Sequence, residues 1–209
     1  MGLVVCAGWM AGGAHAGTPS GAMPESTWRV VIAGSLRSPE TQTQPIFGAK
    51  DTKYAAAWAA KREDGTTYTV TLLSKEQFAK LGVDWAAFRA KSGAAASAEL
   101  AKIEPEFLRD RNQVIECAIL RSKAPGENIT VAVLAPDFLK RFTPLFGRKM
   151  LLAIPDQQTV YLFPKLASRY QDYGERVLAV YRKSESPVSR EVFELSAEGF
   201  RAIGEYTEP

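Results

Sequence analysis

Three groups of side chains in this chain have the types and spacing to do chemistry. Glu104, Glu106 and Asp110 crowd into Ile103–Arg111 with Arg109 and Arg111. Carboxylates at such spacing can divide into a general acid and a general base; the plainer reading is a solvated connector carrying ordinary surface pairs. Lys140, Arg141, Arg148 and Lys149 flank Phe142 and Phe146. Four cations beside aromatic rings suit an anionic partner, either lipid headgroups or an acidic protein; the plainer reading is the wet side of a helix and its exit. Tyr161, Tyr170, Tyr173 and Tyr181 form the third group, a ligand groove on one reading and core on the other.

The inventory excludes much else. There is one histidine, His15, and there are two cysteines, Cys6 and Cys117. Met1–Ala16 holds no Lys, Arg, Asp or Glu and ends in Ala14-His15-Ala16, the small-x-small pattern of a signal-peptidase site. The alternative is an Ala/Gly-rich terminus. The run is too short for a membrane span, which needs about 20 apolar residues; the basic n-region expected of a signal peptide is missing, which a start upstream of Met1 would explain. Cleavage after Ala16 would make Gly17 the first residue, leaving one cysteine and no histidine. Ser-His-Asp and Cys-His machinery needs an imidazole, and zinc sites draw on His and Cys. No P-loop, dinucleotide or Ca-loop spacing occurs, so neither cofactor nor metal is implied. A net charge of +3 is too small for the concentrated basic face of a nucleic-acid binder. Cys117, in Val114–Ile119, reads as a small buried hydrophobe.

The elements that must position these groups follow from patterning. Gly17–Ser26 reads as a flexible lead, Thr27–Ala33 as a first strand, and Gly34–Lys50 as a long loop or linker. A single domain is expected over 51–209. Within it, Tyr54–Ala60 and Thr67–Leu72 flank Asp64-Gly65, a hairpin signal. Ser74 with Gln77 makes a capping box, and Asp84 caps a helix over Trp85–Ile103. Asn112–Leu120 and Asn128–Leu134 read as a hairpin around Pro125-Gly126. Phe138, Leu139, Phe142 and Phe146 recur at helical spacing, with Pro144 limiting that helix. Met150–Ile154 and Thr159–Phe163 are apolar throughout, as strands covered on both faces are, so they predict a hairpin central to a sheet. Leu166–Lys183 carries an amphipathic stripe. Val192–Leu195 and Phe200–Tyr206 close the chain as a last hairpin. The sum is an α+β domain, an antiparallel sheet of successive β-hairpins with helices packed on it.

Three stretches in this order carry a resemblance: Leu73–Gly82 (LSKEQFAKLG), the Phe138–Gly147 helix leading into Met150–Pro155 (MLLAIP), and Ser186-Pro187-Val188-Ser189. Over about residues 54–206 the chain resembles the YtpQ-like bacterial family of unknown function. The resemblance implies an α+β domain and brings no established activity. The polar turn after the hairpin proline, Asp156-Gln157-Gln158, departs from that family's pattern, as does the export signal.

The expectation is an exported, periplasmic or secreted, non-enzymatic envelope protein, with a cytoplasmic location as the alternative, that binds a protein or an anionic surface through Lys140, Arg141, Arg148 and Lys149. The alternative is a histidine-free, hydrolase-like enzyme using carboxylates and lysine.

Overall fold

The protein is seen here in a computed structural model, which describes residues 23–34, 39–61, 68–122, 127–166 and 169–208. The strands in chain order are β1 (Trp28–Ala33), β2 (Thr43–Pro45), β3 (Lys53–Lys61), β4 (Tyr68–Leu72), β5 (Glu106–Arg109), β6 (Ile115–Arg121), β7 (Met150–Ala153), β8 (Thr159–Pro164), β9 (Glu191–Ser196) and β10 (Gly199–Glu205). The helices are α1 (Lys75–Ala79), α2 (Trp85–Lys102), α3 (Thr130–Val133), α4 (Phe138–Phe146) and α5 (Gly174–Lys183). They make an α+β fold with two antiparallel sheets. In one, β1 pairs one side of β3 while β2 and β4 share the other. The second runs β10-β9-β7-β8-β6-β5.

The β7–β8 hairpin lies at the middle of the larger sheet, and its two-sided apolarity has the expected cause. Met150, Leu152 and Ile154 face a core shared with α2–α4 and the smaller sheet. Leu151 and Ala153, one residue out of phase, face a second core closed by Val177 and Leu178 of α5. Because side chains alternate along a strand, every residue of β7 is apolar and buried. The smaller sheet is likewise covered on both faces. Ala55 and Ala57 belong to the main core, and Ala56 to a third cluster with Trp28, Phe78 and Phe88. Alanine favours helices in isolation, yet here its small side chain lets layers close on both sides of β3.

Local signals placed the helices. Gln77 N–H donates to Ser74 Oγ at 3.1 Å, and Ser74 N–H donates to Gln77 Oε1 at 2.9 Å, completing the capping box of α1. Ala87 N–H donates to Asp84 Oδ1 at 2.8 Å, starting α2. A Cβ built on Gly93 would lie 3.1 Å from the Pro136 ring. The small residues of α2 thus admit the chain leading into α4 at close range.

Four expectations are corrected. Gly34–Lys50 is more than a linker, because Thr43–Pro45 pairs with β3 and Ile46 is buried. An edge strand open to water can be polar and tolerate proline, so its pattern did not show. Asn128–Leu134 does not pair with β6, both of whose edges are taken by β5 and β8. Instead the Asn128 side chain accepts from Thr130 N–H (3.0 Å) and Thr130 Oγ1–H (2.7 Å), and the chain turns into α3. The connector Ile103–Arg111 contains β5, which is the true hairpin partner of β6. The Leu166–Lys183 helix is shorter: a 3-10 turn, Tyr170–Tyr173, precedes α5. The segment 1–16, the Asp64-Gly65 turn and the Pro125-Gly126 turn lie outside the described residues. Among the described residues, no helix is long and apolar enough to cross a membrane.

Candidate functional site

The larger sheet has two ends. At one, β5 and β8 finish while β6 and β7 begin, so the β5–β6 turn, the exit of α4 and the chain after β8 meet there. Three devices shape this end. Asp110 Oδ1 accepts from the N–H groups of Asn112 (2.8 Å) and Val114 (2.9 Å), folding a tight turn in which Gln113 takes a left-handed backbone, φ 65°. Gly147 leaves α4 at φ 82°, a conformation that suits glycine. Pro164, opposite Met150, ends β8.

These turns hold apolar side chains outward. Five large hydrophobic residues are exposed among the described residues, and three of them line one cleft here: Val114 (60% exposed), Leu145 (46%) and Leu166 (85%). The cleft measures about 880 Å³ and is edged by Arg111 and Arg169. Arg169 is shared between Glu116 and Asp172, each at 3.5 Å. Arg111 and Arg148 make no ion pair among the described residues, and both are exposed. An apolar cluster with a charged rim marks a surface that meets another surface.

The four cations read from sequence part company. Arg148 and Lys149 lie at this end, exposed. Lys149 precedes Met150, whose partner across the hairpin is Pro164, so it stands beside Lys165. Lys165 is ion-paired to the buried Glu194, which also takes Arg201 at 2.7 Å. The hydrogen bond from Lys165 holds the Glu194 carboxyl below the usual range against its burial, with Lys165, Arg201 and Lys149 charges adding to it. Three cations thus surround one carboxylate. Arg141 turns inward: Nη2 donates to Ile103 O at 2.5 Å and Nη1 to Leu100 O, carbonyls at the C-terminal end of α2. A guanidinium there also opposes the negative end of the helix dipole. Lys140 is exposed but points elsewhere; five residues before Leu145, it lies about 140° around the helix from it.

The other two groups separate as well. Glu106 and Asp110 sit at opposite ends of β5, about 13 Å apart at strand rise, and Glu106 pairs with Arg121 at 3.8 Å. They do not converge as an acid and a base. Tyr170 and Tyr173 pack on Phe163, with ring centroids 6.5 and 5.2 Å away, and the Tyr206 hydroxyl donates to Tyr170 O at 2.9 Å. Tyr161 lines a cleft at the far end of the sheet, and Tyr181 lies on α5 between Val180 and Lys183, which line the same cleft. Cys117 is fully buried, and burial pushes its thiol up to about 12. That leaves no thiolate for nucleophilic work at neutral pH.

Compared with known proteins, the chain matches no family model, no curated protein and no solved structure.

Sequence reasoning missed Val114, Leu145, Leu166 and the role of Arg111. No periodicity signal set Leu145 apart, since it lies seven residues after the buried Phe138 and so near the same face of α4.

Proposed function

We propose that this chain is an exported, non-enzymatic envelope protein that docks on an anionic membrane surface through the end of the larger sheet bearing Val114, Leu145 and Leu166. The observation that carries the reading is the gathering of three of the five exposed large hydrophobics into one cleft. The side chains come from two loops and the last turn of α4, and they gather at one end of the sheet as apolar residues do at a membrane interface. Arg111, Arg148 and Lys149 give that end its attraction; a cation near an anionic leaflet contributes about 1 kcal/mol. Export rests on the uncharged Met1–Ala16 and its Ala14-His15-Ala16 finish.

Two measurements test it. Protein recovered from its own cell should begin at Gly17 by intact mass; an intact Met1 would remove export from the account. Purified protein should sediment with vesicles containing an anionic phospholipid, and added salt should release it, since screening shortens the Debye length to about 8 Å at physiological strength. Salt-sensitive capture by an acidic protein, with no sedimentation on any vesicle, would reassign the surface to a protein partner.

A further inference from the structure

At the opposite end of the larger sheet lies a second cleft, of about 760 Å³. It opens between α5, the loop that follows it and the β7–β8 turn. Its walls are tied together by backbone: Gln157 N–H donates to Ser186 O at 3.3 Å, and Val188 N–H to Pro155 O at 2.8 Å. Asp156 and Pro187 form a further bridge. The Asp156 side chain turns back on its own loop, accepting Gln158 N–H at 2.9 Å. The polar turn Asp156-Gln157-Gln158 is therefore the fixed lip of a cleft.

Three cationic and three acidic side chains line it. Their placement is not random. Arg176 and Lys183 are seven residues apart on α5, two helical turns, so they share the side that faces the cleft. Neither makes an ion pair among the described residues. Asp156 comes from the hairpin turn and Glu185 from the loop after α5. One wall thus presents positive charge and the lip presents negative charge.

The floor carries the decisive group. Tyr161 is fully buried, lines the cleft, and its hydroxyl has no hydrogen-bond partner among the described residues. Burial raises the pKa of this phenol, and the Arg176 and Arg121 charges pull against it. Buried hydroxyls are almost always paired, because leaving one unpaired forfeits its hydration. A donor beside an unpaired guanidinium matches a carboxylate, which accepts from both.

We infer that this cleft binds a small zwitterion, an amino acid or short peptide, with its carboxylate on Tyr161 and Arg176 and its ammonium toward Asp156 and Glu185. The balance of charge in the walls argues against a bare anion, which would meet the acidic lip. The site is separate from the membrane-facing end, and either could fail without the other.

Isothermal titration with four probes tests this: dialanine, its N-acetylated form, its C-terminal amide and inorganic phosphate. Dialanine should bind saturably, and each of the other three should bind at least tenfold more weakly. Tyr161→Phe and Arg176→Gln should each weaken dialanine binding at least tenfold. The melting temperature of unliganded Tyr161→Phe should stay level or rise, because the lost hydroxyl has no partner to leave behind. Saturable binding of phosphate or of the amide at wild-type dialanine strength would overturn the assignment. So would dialanine heats indistinguishable from dilution, or a Tyr161→Phe protein that binds dialanine as the wild type does.

Discussion

Leu152→Ala should lower stability by about 2–5 kcal/mol, the range for deleting a buried leucine where the surroundings cannot collapse. Leu152 is fully buried, opposite Leu162 on one side and Phe193 on the other, and both of these are fully buried too. Backbone hydrogen bonds on both edges of β7 prevent the strand from moving to fill the gap. Denaturant unfolding should show a lower midpoint at unchanged slope. Leu166→Ala, at 85% exposure, should shift stability by less than about 0.5 kcal/mol. Equal effects of the two substitutions would mean that the central hairpin is misplaced.

Glu191→Ala should cost about 2–4 kcal/mol, through hydrogen bonds rather than packing. Glu191 is 7% exposed and makes no ion pair among the described residues; the Lys50 ammonium pairs with Glu205 at 3.2 Å. Its carboxylate instead accepts Lys50 N–H at 2.7 Å and the Thr52 hydroxyl at 2.5 Å. It thereby ties the segment entering β3 to β9, joining the two sheets. Hydrogen bonds to a charged group are worth about 1.5–3 kcal/mol each, and removing the acceptor leaves the buried Thr52 hydroxyl without it. Glu191→Gln keeps the shape and one acceptor and should cost less than alanine. Alanine and glutamine variants both as stable as the wild type would show that water replaces the tie.

The fold was legible where its cause is local or two-sided. The Ser74–Gln77 box and the Asp84 cap are decided within three residues, and both form as read. The β7–β8 hairpin announced its central place because apolar residues on both faces leave few other positions for a strand. What was misread depends on distant partners. Glu106 and Arg109 are exposed on an edge strand, so β5 looked like a charged connector. Asn128–Leu134 is an apolar run of the length at which buried strand and buried helix cannot be told apart. Its helical turn is set by Asn128, and the Thr130 hydroxyl accepts Ile32 N–H at 2.9 Å from across the fold. The basic group divided for the same reason. The partner that turns Arg141 inward is the end of α2, which neighbouring residues do not reveal. Charge alone marked Arg148 and Lys149, while Val114, Leu145 and Leu166 gained meaning only when two loops and the end of α4 were brought to one end of the sheet.

Whether this end of the larger sheet meets an anionic membrane is decided by vesicle co-sedimentation of four proteins. The wild type should bind vesicles rich in phosphatidylglycerol and ignore those of phosphatidylcholine alone. Leu145→Ser/Leu166→Ser should lose at least tenfold in affinity, since burying one leucine is worth about 1.5–3 kcal/mol. Arg148→Glu/Lys149→Glu should lose at least as much, at about 1 kcal/mol for each cation removed. Lys140→Glu, around the helix from the cleft, should bind nearly as the wild type does. Wild-type binding that is equal on both vesicles, or absent from both, would contradict the account, as would a loss on Lys140→Glu matching those of the two double variants.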